Sequence, residues 1–393
     1  MSPWIEVQTQ LAWPLAILVA WGLGELAARW GRVPRIATYA VVGVLFAPSV
    51  TGVLPAVSPD GLDIAAMIAF GLILFEAGYR TNLSWLVANP WLLATSLLEA
   101  GLTFGAVRWI LGVIGLPADE ALLLSTLAIA TSPAATLRVI NEQRAAGQVT
   151  ERAIHLSVLD CVIGIVAYMG VRAGQMSGPT AAGMTTTDSV LGGLALAIAL
   201  GGLFGILFPP LLRAVTRDRD EGTMAFALAV AVVVGLAEAL VASPALAALT
   251  FGLVARARRT VLSARQRGFG TLGELLSVLL FVYLAAALDW SLVPATLGTG
   301  VVVVLVRLAA TMLSTTAFAL PSGITWQKGI WTGVTLSPMS ALALVLLEPA
   351  SVDLLPALAP LLGGILILEI IGPILVVGAL RAARELPDPE ARD

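Results

Sequence analysis

Two Ser-Pro pairs set in apolar runs, one mid-span carboxylate and one mid-span guanidinium are the residues whose types and spacing could do chemistry. The first pair lies in Ala130-Thr131-Ser132-Pro133-Ala134 and the second in Thr335-Leu336-Ser337-Pro338-Met339. A helix interrupted at Ser-Pro frees backbone groups and a hydroxyl, which a membrane interior tolerates only where protein or a polar cavity receives them. Asp160 stands at mid-depth of the apolar run that follows the first pair. Arg307, within Val301–Leu313, is the only basic residue at comparable depth. A carboxylate in hydrocarbon is expensive unless it faces a polar cavity or changes protonation, so Asp160 is a functional residue by default. Ser157, Asp160, Cys161 and Gly164 fall at i, i+3, i+4 and i+7 and share one helix face. Hard monovalent cations prefer oxygen ligands. Ser157, Asp160 and the broken backbone around Thr131 therefore suit sodium, lithium or potassium, whereas the thiol of Cys161 does not.

The elements that position these groups follow from composition. The chain has 393 residues, of which 58% are hydrophobic and 12% charged, and its mean hydropathy is +0.94. That balance defines an all-α polytopic membrane protein. One lysine against twenty-one arginines and a net charge of −3 exclude a nucleic-acid surface, and the single Cys161 excludes an internal disulfide. No cofactor motif is present and nothing suggests an enzyme. The first apolar stretch, from Leu11, lacks a basic n-region and reads as a helix rather than a cleaved signal.

At about 20 apolar residues per span, thirteen transmembrane helices are expected. They run near 10–29, 37–55, 61–79, 88–114, 119–140, 151–172, 189–212, 222–241, 244–257, 270–288, 292–319, 324–348 and 354–380. Loops after odd-numbered helices carry the arginines, among them Arg29, Arg80, Arg138, Arg217 and Arg258, whereas loops after even-numbered helices carry Arg172 alone. Positive residues collect on the cytoplasmic side, so the N-terminus is expected outside and the C-terminus inside. The tail after Leu380 has 13 residues, too few for a regulatory domain. The two Ser-Pro breaks lie on helices five and twelve, seven apart, and an odd offset inverts topology. Helices one to six and eight to thirteen are therefore expected to be inverted repeats of six, with discontinuous helices five and twelve crossing at the midplane. Crossed half-helices bring like dipole ends together, and Asp160 and Arg307 would supply the countercharges.

Three further features bear on the site. Glu76, in Phe75-Glu76-Ala77-Gly78-Tyr79-Arg80, ends helix three close to Arg80, either as a surface ion pair or as part of an ion path. His155, the only histidine, sits near the start of helix six, as an ordinary interfacial residue or a pH sensor. Glu25, Glu99, Glu238, Glu274 and Glu369 are spread over other helices; Glu274 lies near a helix start, where a carboxylate is favoured, and Glu369 could mirror Asp160 in the second repeat, without being assigned to the site.

Leu72-Ile-Leu-Phe-Glu76-Ala-Gly-Tyr-Arg80, Ala130-Thr-Ser-Pro-Ala-Ala-Thr-Leu137, Ser157-Val-Leu-Asp160-Cys-Val-Ile-Gly164, Arg307 and Thr335-Leu-Ser-Pro-Met-Ser-Ala-Leu342 together resemble bacterial monovalent cation:proton antiporters of the sodium/proton exchanger superfamily. The resemblance covers nearly the whole chain. It implies multi-pass residence in a prokaryotic plasma (inner) membrane, with the lipid bilayer, a monovalent cation, protons and a second copy of the chain as partners. It implies scaffold and dimerisation helices over 1–87 and core helices over 88–172. A connector and scaffold helices would follow over 173–288, core helices over 289–380 and a short cytoplasmic tail over 381–393. It further implies ion-site roles for Thr131, Ser132, Ser157 and the acid on helix six, a cavity role for Glu76, and core-stabilising roles for Arg307, Ser337, Pro133 and Pro338.

The sequence also departs from that pattern. Such antiporters usually carry Asp-Asp or Asn-Asp on helix six, the second acid binding the ion. Here the corresponding pair is either Leu159-Asp160 or Asp160-Cys161, and an ungapped alignment from Ser132 favours the latter. Many relatives place a lysine one turn after the helix-eleven arginine, where this chain has Thr311. One acid and one base are absent together, leaving one central carboxylate. The expectation is alternating access with a proton and a cation competing at Asp160, in electroneutral one-for-one exchange. The alternatives are an antiporter fold that has lost coupled exchange, as an uncoupled pathway or a membrane sensor, and a sodium-coupled organic-anion symporter.

Overall fold

The computed structural model describes residues 3–31, 33–55, 62–175, 186–215, 221–258, 270–339 and 359–387. The described helices are α1 (Pro3–Leu26), α2 (Arg35–Phe46), α3 (Leu62–Arg80), α4 (Leu83–Ala88), α5 (Pro90–Val113), α6 (Ala118–Ile129), α7 (Pro133–Gln143), α8 (Gln148–Gln175), α9 (Thr186–Val215), α10 (Glu221–Ala239), α11 (Pro244–Ala257), α12 (Gly270–Ala286), α13 (Val293–Ala317), α14 (Trp326–Thr335) and α15 (Ala359–Ala382). Among the described residues, seven segments are long and apolar enough to cross a membrane: Leu11–Trp30, Leu62–Arg80, Pro90–Val113, Gln148–Gly174, Val190–Leu212, Val293–Ala317 and Gly363–Ala382. Shorter apolar helices occupy Arg35–Phe46, Thr223–Ala239, Pro244–Ala257 and Leu272–Ala286. Leucines of α1 and α9, including Leu15, Leu18, Leu191 and Leu203, point outward at more than half exposure, as a lipid-facing surface requires.

Local sequence explains where helices start and stop. The second expected helix, placed over 37–55, ends at Phe46, two residues before Pro48, whose ring disfavours helical backbone in the residue before it. Helix five divides for the same reason. Ahead of Pro133, Ser132 is extended (φ −89°, ψ 101°) and caps α7, its Oγ accepting from the Ala135 N–H at 3.3 Å. Pro133 then occupies the first turn, where its missing donor leaves nothing unsatisfied. In helix twelve, α14 stops at Thr335 just before Ser337-Pro338, and the expected second half, over 340–348, lies outside the described residues.

The helices pack in two groups. In one, α3 lies against α10, α11 and α12, α11 against α9, and α2 against α1 and α12. In the other, α5, α6 and α8 pack together and α13 packs on α5, α14 and α15. Glycines permit the closest approaches: a Cβ on Gly252 of α11 would stand 2.1 Å from the Phe75 carbonyl of α3, and one on Gly300 of α13 would stand 2.1 Å from the Gly364 nitrogen of α15. The chain beyond α15 folds back onto α8. The buried Glu385 carboxylate accepts from the Val149 and Thr150 N–H groups and the Thr150 hydroxyl, each at 2.8 Å. A carboxylate is favoured there because free N–H groups and the positive dipole end converge at a helix N-terminus. Charge-assisted hydrogen bonds are worth about 1.5–3 kcal/mol. Glu385→Ala is therefore expected to lower the Tm of the detergent-solubilised protein measurably, with Glu385→Gln intermediate; an unchanged Tm in both variants would show the clasp to be inconsequential.

Candidate functional site

The two breaks meet. Thr131 and Met339 form an isolated antiparallel bridge, and the Ser132 N–H donates to the Pro338 carbonyl at 2.9 Å. Each break thus receives a polar group freed by the other, which the apolar surroundings demand. The consequence is an orphan. Ser132 N–H is the donor that an unbroken helix would send to the Ala128 carbonyl, four residues back.

Arg307 of α13 takes that place. Its Nε donates to Ala128 O at 2.9 Å, Nη1 to Ser337 O at 2.8 Å and Leu336 O at 3.3 Å, and Nη2 to Leu336 O at 3.3 Å and Thr131 Oγ1 at 3.0 Å. Four of these five bonds end on carbonyls at the C-terminal ends of α6 and α14. Each helix C-terminus carries roughly −0.5 elementary charge, so the two ends together offset about one positive charge. No carboxylate oxygen lies within 4.0 Å of the guanidinium among the described residues. Asp160 and Arg307 were expected to supply countercharges to the crossed half-helices; the arginine lies against the two C-terminal ends, and a hydroxyl separates it from the acid.

That hydroxyl belongs to Thr131, which accepts from Arg307 and donates to Asp160 Oδ2 at 3.3 Å. The other oxygen, Oδ1, accepts a short hydrogen bond from Ser96 of α5. Asp160 is fully buried and its hydrogen-bond partners are these two hydroxyls. Gly164, one turn further along α8, marks a close contact: a Cβ there would stand 2.8 Å from Ala130 Cβ, so the glycine lets α8 approach the break. Cys161 is buried beside Asp160. Ser157 is also buried, but its hydroxyl donates back to the Ile154 carbonyl of its own helix at 2.9 Å. Ser132 is occupied as a helix cap and Ser337 Oγ lies 3.5 Å from Gly372 O. Of the sequence-predicted ion-site residues, the structure brings Asp160 and Thr131 into direct contact, with Arg307 joined through Thr131.

Two site residues escaped the sequence reading, both on α5. Ser96 reaches Asp160, and Glu99, one turn on, is 1% exposed. Glu99 Oε1 accepts from Thr311 at 3.0 Å and Thr103 at 3.3 Å, while Oε2 is buried without a hydrogen-bond partner. Among the described residues the site therefore joins two fully buried carboxyls, Asp160 and Glu99, where a single one was expected. Thr311 of α13 is the residue that meets the second. The signal was present as Thr95, Ser96, Glu99 and Thr103, a polar stripe at helical spacing within an apolar span.

Glu76 is not a surface pair. It is fully buried, with Oε1 at 3.1 Å from Arg80 Nη2 and accepting from Asn141 Nδ2 at 2.9 Å, and with Arg138 Nη2 4.0 Å from Oε2. Asn141 and Arg138 belong to α7, so Glu76 ties α3 to the second half of the broken helix. No hydrogen bond joins it to Asp160. His155 is also buried: its Nε2 accepts from the Asn82 N–H at 3.0 Å, its Nδ1 lies 2.7 Å from the Glu151 carbonyl, and its ring lies 4.5 Å from that of Trp85.

Apolar helices joined at paired breaks around a buried arginine and carboxylate define a polytopic membrane transport protein. A sequence model of the family described as sodium/hydrogen exchanger, transmembrane, matches residues 15–380, and the chain belongs to this family. Among solved structures, it is similar to an electron-microscopy structure of the sodium proton antiporter MjNhaP1 from Methanocaldococcus jannaschii, with a TM-score of 0.73 and 17% identity over 98% of this chain and 96% of that one. A second structure of the same antiporter, at pH 8, aligns with a TM-score of 0.67 and 16% identity over 96% and 97%. No curated protein sequence gives a significant match.

The arginine's role predicts a graded loss of stability. A buried acceptor left without its donor costs about 1–3 kcal/mol, and lysine offers three donors from one point where arginine offers a planar fork of five. Arg307→Ala is expected to lose several kcal/mol and Arg307→Lys less, read as Tm and monodispersity in detergent. Wild-type stability in both variants would contradict the assignment.

Proposed function

We propose that this chain exchanges a monovalent cation (sodium, lithium or potassium) for protons across a prokaryotic inner membrane by alternating access, with Asp160 as the site of competition. The observation that carries this reading is the surroundings of Asp160: a fully buried carboxyl whose hydrogen-bond partners are hydroxyls, beside an arginine already satisfied by carbonyls. A buried carboxylate with no fixed cation must hold a mobile one, a proton or a metal ion. Asp160, Thr131 and Ser96 supply the oxygen ligands that hard monovalent cations prefer.

In this reading thirteen helices cross the membrane as two inverted repeats, N-terminus outside and C-terminus cytoplasmic, in a homodimer. The segments 88–172 and 289–380 form a core that moves against a scaffold formed by 1–87 and 173–288. The two packing groups support that division, since α5, α6, α8 and α13 to α15 contact one another extensively. Glu76, bound to Arg80 of α3 and to Asn141 and Arg138 of α7, sits where the two bodies meet and lines the ion path. Glycines of α3 and α11 hold the scaffold close. The protein carries out transport rather than an enzymatic reaction.

A second reading, an antiporter fold without coupled exchange, is favoured by buried Cys161, which an ungapped alignment from Ser132 sets at the position of the ion-binding acid in the antiporters the sequence resembles. One experiment separates the two. In inside-out vesicles loaded by a proton gradient, sodium, lithium or potassium added to the wild type is expected to dissipate the gradient, and Asp160→Asn is expected to abolish the response. Silence in the wild type, with activity gained in Cys161→Asp, would establish the second reading instead.

A further inference from the structure

The buried charges of the core do not cancel as the exchange reading alone would have it. Arg307 makes four of its five hydrogen bonds to carbonyls at two helix ends, which together offset about one charge. Among the described residues two carboxyls stand around the breaks, Asp160 and Glu99, both at most 1% exposed and neither within 4.0 Å of a basic nitrogen. Both feel each other and Arg307 electrostatically. Among the described residues their hydrogen-bond partners are hydroxyls, those of Ser96 and Thr131 for Asp160 and those of Thr103 and Thr311 for Glu99. With no basic nitrogen in contact, each buried carboxyl takes up a proton when no metal ion is bound.

Ser96 and Glu99 are three residues apart on α5 and share its buried face, so the group that holds Asp160 and the second carboxyl stand on adjacent turns. Glu99 Oε2 is the oxygen of this cluster left without a partner. Ionised, it is an acceptor with no donor; protonated, it is a donor with no acceptor. Neither state is satisfied by the protein itself. A dehydrated monovalent cation needs several oxygens, and Asp160, Thr131 and Ser96 offer few.

The geometry points to Glu99 as a second proton carrier and cation ligand, so that each cation displaces two protons and transport is electrogenic. This rests on the exchange reading for Asp160. In the proton-loaded core both carboxyls are neutral. On the opposite side two O–H bonds break, both protons pass to water and one cation enters between the carboxylates. The core then carries one more negative charge than before, and the cycle moves one net charge per turnover. Thr311 serves this arrangement where a lysine would not: an ammonium beside Glu99 would be a fixed cation, whereas a hydroxyl can accept from the acid or donate to the carboxylate.

The test uses the full chain in proteoliposomes, with radiolabelled sodium uptake and lumenal proton loss measured in the same vesicles; rubidium as a potassium tracer replaces sodium if potassium is the ion that drives proton movement. The wild type is expected to lose two protons per cation taken up. Uptake is expected to speed up several-fold in thiocyanate-loaded vesicles, whose inside-positive potential drives the net outward charge. Glu99→Gln keeps a carbonyl for Thr311 to donate to, and is expected to exchange one proton per cation with no response to thiocyanate; Glu99→Asp is expected to retain two. One proton per cation in the wild type, or two in Glu99→Gln, overturns the proposal while leaving Asp160 as carrier. A wild type in which no cation moves protons, or an Asp160→Asn variant that still exchanges, overturns the exchange reading and this proposal with it. The wild-type ratio decides the matter even if the Glu99 variants fail to fold.

Discussion

Backbone groups set free by a broken helix must find partners where no water is available, and the core of this protein is organised around that constraint. Ser132-Pro133 and Ser337-Pro338 each stop a helix. The two extended segments then bond to each other through the Thr131–Met339 bridge and the Ser132–Pro338 hydrogen bond. Arg307 takes the carbonyls that remain on Ala128, Leu336 and Ser337. Remove the arginine and two negative helix ends face each other without a donor between them.

This arrangement decides what the acids can do. A guanidinium engaged by carbonyls does not lock a neighbouring carboxylate into an ion pair, so Asp160 is left with the hydroxyls of Ser96 and Thr131. Hydroxyls suit exchange because each can donate to a carboxylate or accept from an acid. Thr131 couples the two charged groups without pairing them, since it accepts from one and donates to the other. The chain belongs to the sodium/hydrogen exchanger family, and its core places Thr311 of α13 against a second buried carboxyl. Glu99 of α5 supplies a carboxyl from outside the helix-six pair.

Further out, buried charge joins elements that are distant in sequence. Glu76 links α3 to α7 through Arg80, Asn141 and Arg138. Glu385 clasps the N-terminus of α8, the helix that carries Asp160, to the end of the chain. Both carboxylates sit at segment ends, where arginines and free N–H groups lie within reach.

Much of this was legible from local pattern. Apolar runs marked the helical stretches, because hydrocarbon permits little else. Proline after serine marked both breaks, because the ring excludes helical backbone in the residue before it. Asp160 announced itself by its rarity at mid-span, and Arg307 likewise. What sequence could not specify was who faces whom. Glu99 looked like one of several scattered acids until packing set α5 against α8 and α13, and Glu76 looked superficial until α7 covered it. Ser157 shares a helix face with Asp160, yet its hydroxyl turns back to its own backbone. Composition and proline chemistry act along the chain, over a few residues, and so can be read from it. Charge compensation acts through space between helices far apart in sequence: Arg307 was legible as a countercharge to the crossed half-helices, but only the packed tertiary structure decided which carbonyls it binds and that Asp160 and Glu99 meet hydroxyls instead.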